Sequence, residues 1–180
     1  ALPRSCSAEV TPAITELMAN LDGACYMRTH RPDVSFLYDS EETFTVGGFK
    51  HLLDGEDLLI VASGYMVHVA RKAIEILEDK AGLSASLIDA YSMPLDTDEI
   101  LQVGDDCRGQ ILVVEDNYLG GIADEITAAA AASDLGVRVK TMVVGSVPKS
   151  AKTPEEILQM VHLSADEIAA AGQQLFDEAD

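Results

Sequence analysis

The chain has 180 residues, one ordinary domain plus a fragment, enough to bury roughly 70% of its unfolded surface. Twelve Lys and Arg against 31 Asp and Glu leave a formal net charge of −19, a field that repels phosphate backbones and anionic lipid. Nucleic acid and membrane surfaces are therefore not expected partners, and no apolar run approaches the ~20 residues of a membrane span. The three cysteines, Cys6, Cys25 and Cys107, show neither Cys-x-x-Cys nor Cys–His spacing. They read as reduced thiols of a cytoplasmic protein, and no signal-peptide pattern opens the chain.

In chain order, Ser7 to Leu21 predicts a helix, with Val10, Ile14 and Met18 spaced i, i+4 and Gly23 as its stop. Ala24 to Arg28 predicts a short strand. Pro32 to Gly48 is polar and irregular, a connection with Phe36, Tyr38 and Phe44 as aromatic anchors. Beyond Lys50 the pattern predicts strand 58–62, helix 65–79, strand 85–89, helix 96–103, strand 110–114, helix 121–133 and strand 137–144. Two closing helices carry capping-box patterns, Thr153-Pro-Glu-Glu156 and Ser164-Ala-Asp-Glu167. Leu58-Leu-Ile-Val-Ala and Ile111-Leu-Val-Val are apolar without alternation, as strands covered on both faces must be. The expected architecture is three-layer α/β/α, a mostly parallel sheet of about five strands with helices on both faces.

The segment from Gly109 to Ile126, GQILVVEDNYLGGIADEI, joins a buried strand to two acids, a glycine turn and an alanine-rich helix. It is similar to the first strand of a phosphate-accepting receiver domain. That family also needs an aspartate at a later strand end, and the strand after Asp116 ends in Gly145-Ser146 instead. The transketolase family fits more of the chain. Cys25-Tyr-Met-Arg28-Thr-His-Arg31-Pro32 resembles the strand and arginine segment that close its pyrimidine-binding domain. Leu58 to His68, Leu87-Ile-Asp89 with Pro94-Leu95-Asp96, and Val113-Val-Glu115-Asp116 with Gly120-Gly121 resemble the three first strand units of its C-terminal domain. Val147-Pro-Lys-Ser150 is similar to the family's last segment, with Lys149 where arginine is common and Ala151 for glycine. None of these motifs is specific alone; five in register are.

The resemblance implies a division at about residue 40, with the tail of a pyrimidine-binding domain in 1–40 and a transketolase-like C-terminal domain in 41–180. It implies a parent enzyme that moves two-carbon ketol units between sugar phosphates with thiamine diphosphate and Mg or Ca. Those groups would be held by the other domains, with none bound by this chain alone. A homodimer, the pentose phosphate pathway and no turnover by the isolated chain are further expectations. Arg31 would reach the sugar-phosphate tail, because a guanidinium holds phosphate through paired donors. His30 and Arg28 are its possible helpers, although alternation along an extended segment would put those two on opposite faces. No catalytic or metal-ligating residue is expected here.

Glu115, Asp116 and Asp89 sit at predicted strand ends, where capping and loop hydrogen bonds are the simpler reading than metal binding. Gly120-Gly121 can cradle an anion with free N–H groups, though a tight turn accounts for the pair as well. His68 is expected to be a packing residue. The rival readings are the β subunit of a 2-oxo acid dehydrogenase, a deoxyxylulose phosphate synthase, a non-catalytic anion-binding module and a pure assembly domain.

Overall fold

A computed structural model describes residues 10–29, 34–39 and 41–179. Its centre is a five-stranded sheet in the order β1-β3-β2-β4-β5. The strands are β1 (Lys50–Leu53), β2 (Leu58–Ala62), β3 (Ala85–Asp89), β4 (Gln110–Val114) and β5 (Arg138–Met142). All pairs are parallel except β1 with β3, so the sheet is mixed only at one edge. The helices are α1 (Val10–Ala19), α2 (Tyr65–Ala81), α3 (Thr97–Asp106), α4 (Ile122–Ala132), α5 (Pro154–Met160) and α6 (Ala165–Asp177).

Every residue of β2, β3 and β4 is buried, which is why their sequences lack the polar alternation of a half-exposed strand. The period of two persists inside the apolar run. Leu58, Ile60, Leu112 and Val114 face one core with α2 and α6, while Leu59, Val61, Ile111 and Val113 face the other with α3 and α4. Three-layer α/β/α is therefore the architecture, as the sequence predicts. Gly104 within α3 permits the close layering: a Cβ there would lie 2.3 Å from Ile111 Cδ1. For the same reason α3 runs through Gly104 to Asp106 rather than ending at 103.

Other elements depart from the expected pattern. Lys50–Leu53 adds the antiparallel edge strand β1, whose register slips between His51 and Leu53. The expected strand 24–28 is reduced to one bridged residue, Met27, because no ladder among the described residues accompanies it. At α6 the capping box is complete: Ser164 Oγ accepts from Glu167 N, and Glu167 Oε2 accepts from Ser164 N at 3.1 Å. At α5, Thr153 accepts from Glu156 N at 3.2 Å, but Glu156 reaches one residue further back, to Lys152 N at 2.8 Å.

The connection into the sheet is held by a polar and aromatic latch. Tyr38 donates to Asp89 Oδ2 at 2.6 Å, Thr45 N to Tyr91 Oη at 3.0 Å, and Gly47 N to Ser92 Oγ at 2.9 Å. The Phe44 ring stands edge-on to both Tyr38 and Tyr91, with centroids 5.3 and 4.9 Å away. Tyr38 and Phe44 are thus anchors, while Phe36 is not; it is 60% exposed.

Candidate functional site

Parallel sheets present binding groups in the crevice beyond their strand carboxyl ends, above all where the strand order reverses. Here the reversal lies between β2 and β4, since the chain leaves β2 toward β3 and returns across the sheet to β4. A cavity of about 300 Å³ opens there. Its polar wall comes from Tyr65 at the head of α2, from Asp116, Asn117 and Tyr118 after β4, and from Arg28. Its floor is apolar, made by Val144 after β5 and by Ile157, Leu158, Val161 and Leu163 of α5 and the following turn.

The loops of the crevice are set by the sheet itself. Glu115 N donates to Met142 O at 3.0 Å, and Val144 N to Asn117 O at 2.9 Å, so the β4–β5 ladder continues past both strands into the loops. Gly64, at φ +60°, makes the sharp turn that brings Tyr65 to the rim. Burial, and then the Glu155 carboxylate on α5, push the Tyr65 phenol above its ordinary value, so it stays a neutral hydroxyl.

The three acids have different fates. Asp89 is fully buried and takes the Tyr38 hydroxyl. Burial and that same carboxylate raise the Tyr38 pKa, which keeps the phenol a donor. Glu115 is buried and turned onto the start of α4, where its Oε2 accepts from Ala123 N at 3.4 Å. It lies so close to Gly121 that a Cβ there would sit 2.0 Å from Oε1. The start of α4 beside Gly121 therefore holds an anion, but the anion is the chain's own carboxylate. Asp116 alone is directed to the crevice wall.

Of the cationic trio, Arg28 is half-buried in the crevice wall, whereas His30 and Arg31 lie outside the described residues. Sequence reasoning passed over Tyr65, Asn117 and Tyr118. Their signal is position alone, just past strands that flank a chain reversal. Among the other histidines, His51 lies 3.6 Å from Asp54, and His162 Nδ1 lies 2.7 Å from Glu167 Oε1. His68 is half-buried on α2, as a packing residue would be. Cys107 is a buried thiol whose pKa burial pushes up, and Cys25 is exposed; neither is in a disulfide. Among the described residues no group of three His, Cys, Asp or Glu side chains is placed to hold a metal. No helix among them is long and apolar enough to cross a membrane.

A three-layer α/β domain with its crevice at the strand carboxyl ends is what fold and site together define. A family model described as "Transketolase, C-terminal domain" matches residues 47–168, and the chain belongs to the transketolase family as a C-terminal domain of that type. Transketolase of Pongo abelii is 35% identical over 94% of this chain and that of Homo sapiens 34% identical over 94%. The chain spans 27% of the length of each. Among solved structures, the one titled "Split gene transketolase, inactive beta4 tetramer" is 26% identical. It superposes with a TM-score of 0.85 over 98% of this chain and 56% of its own. A Pichia stipitis transketolase structure shares the fold at 20% identity, with a TM-score of 0.55 over 73% of this chain and 18% of its own.

Proposed function

We propose that this domain serves an enzyme that transfers two-carbon ketol units between sugar phosphates in the cytoplasm, within the pentose phosphate pathway. The observation that carries this reading is the family match to residues 47–168 in a chain spanning 27% of its relatives' length. Residues 1–40 are the tail of the pyrimidine-binding domain, and residues 41–180 pack against the other domains and shape a homodimer. Arg31 grips the sugar-phosphate tail, with His30 beside it.

Thiamine diphosphate and its Mg or Ca ion belong to the remaining domains. This assignment is supported by Glu115, which sits beside Gly121 at the start of α4 and would repel a diphosphate there. In this reading the domain's work is architectural. The tetramer titled inactive, made of a related β chain, supports a subunit that needs a partner for turnover.

The test is reconstitution. The chain is assayed for ketol transfer alone and after mixing with the thiamine-binding remainder of the parent enzyme, with light scattering to read assembly. Transfer only in the mixture, by a complex of both parts, is the expected result. Turnover by the chain alone, or failure of the two parts to associate, would sink the reading.

A further inference from the structure

We propose that the crevice between β2, β4 and α5 is a binding site for a small organic anion with an apolar body, headed by a carboxylate or a phosphate. It is separate from the substrate-phosphate role of Arg31 and does not depend on it.

Three observations converge. The first is place: the cavity opens at the chain reversal beyond the carboxyl ends of β2 and β4, where sheets of this kind receive ligands. The second is shape and lining. At about 300 Å³, with an apolar floor including Leu158 and Val161 and a few polar groups on one wall, it has the make-up of a small-molecule pocket. The third is charge. Arg28 is half-buried in that wall, yet no hydrogen bond or ion pair to another described residue engages its guanidinium.

Arg71, Lys72, Lys149 and Lys152 likewise show no ion pair with a described residue, but all four are exposed, whereas Arg28 is half-buried. The other cations with described partners reach them easily: Lys80 pairs with Asp166, and Arg138 with Glu178. A half-buried guanidinium that no described carboxylate engages can take an incoming carboxylate or phosphate through paired donors. Tyr65 and Tyr118 supply aromatic walls. The floor rewards a ligand body that an inorganic anion lacks. Asp116 on the same wall has an interaction of its own and opposes the anion less than a bare carboxylate would.

The whole chain is titrated with 3-phenylpropanoate, phenyl phosphate, inorganic phosphate and benzyl alcohol, following backbone amide NMR shifts of Asn117, Val144 and Leu158. Saturable shifts are expected with the two aryl anions. Phosphate and benzyl alcohol, each lacking one half of the ligand, should bind at least about tenfold more weakly. Binding of either aryl anion supports the site, and the tighter of the two names the head group. Arg28→Gln should lower aryl-anion affinity about tenfold while leaving benzyl alcohol unchanged. Aryl anions binding no better than benzyl alcohol, or equally to wild type and Arg28→Gln, would overturn the proposal, as would the absence of saturable shifts.

Discussion

The two halves of the sheet's carboxyl edge use the same kinds of residue to opposite ends. Beyond β3 an acid, three aromatic rings and a glycine close on one another, with Tyr38 on Asp89, Phe44 edge-on to Tyr38 and Tyr91, and Gly47 tied to Ser92. Beyond β2 and β4 an acid, two tyrosines and an arginine stand around about 300 Å³ of open space. Residue type does not separate a latch from a binding wall. What separates them is whether the side chains close on one another or line a cavity. Glu115 shows how narrow the margin is, since it follows β4 directly and is locked onto α4 while its neighbour Asp116 faces the crevice.

The largest effect is expected where the chain locks one of its own carboxylates, at Gly121→Ala. The new methyl would meet Glu115 Oε1 at 2.0 Å and drive a buried carboxylate off the helix start. A loss of about 3 kcal/mol, or roughly 6–12 °C in Tm, is expected from overpacking and the lost hydrogen bond, read by thermal unfolding. Tyr38→Phe comes next. It removes the hydroxyl from Asp89 without changing the packing, and should cost about 2 kcal/mol by denaturant titration.

On the open side, Tyr118→Ala should change stability by less than about 0.5 kcal/mol, because its 47%-exposed ring closes no latch. A loss as large as that of Tyr38→Phe would mean that the two sides do not differ in kind. The smallest effect lies away from both, at the α6 cap. Burial raises the Glu167 carboxyl, but hydrogen bonds from Ser164 and His162 outweigh it and leave its pKa below the ordinary 4.5. A lowered folded pKa means stability present above pH ~4.5 and lost as pH falls through the folded value. Because the group is largely solvated, the effect should be only roughly a few tenths of a kcal/mol. Glu167→Gln keeps the cap and should abolish that pH dependence in denaturant midpoints measured between about pH 3 and pH 6.

Much of the fold was legible because its signals are local. The apolar runs of β2 and β4, the alternation of strand and helix and the Ser164 cap each act over a few residues, where periodicity and capping chemistry operate. The family, too, was legible from five short motifs in register, and the match to residues 47–168 agrees with the four that fall inside it. The crevice was far less so. Its wall draws on Arg28, Tyr65 and Asp116, residues distant in the chain, and no spacing rule joins them.

By itself, the sequence determined which segments are strands buried on two faces and which helices are capped, since burial pattern and caps are written residue by residue. Tertiary structure alone decided that Lys50–Leu53 would complete the sheet as an antiparallel edge. It also decided that Tyr38 would find Asp89 across 51 residues, and that Glu115 would turn onto the start of α4 beside Gly121 while Asp116 lined the crevice. The reason is physical. A carboxylate's role depends on which donors lie within about 3 Å of it, and those donors are gathered by the packing of layers rather than by neighbours in sequence.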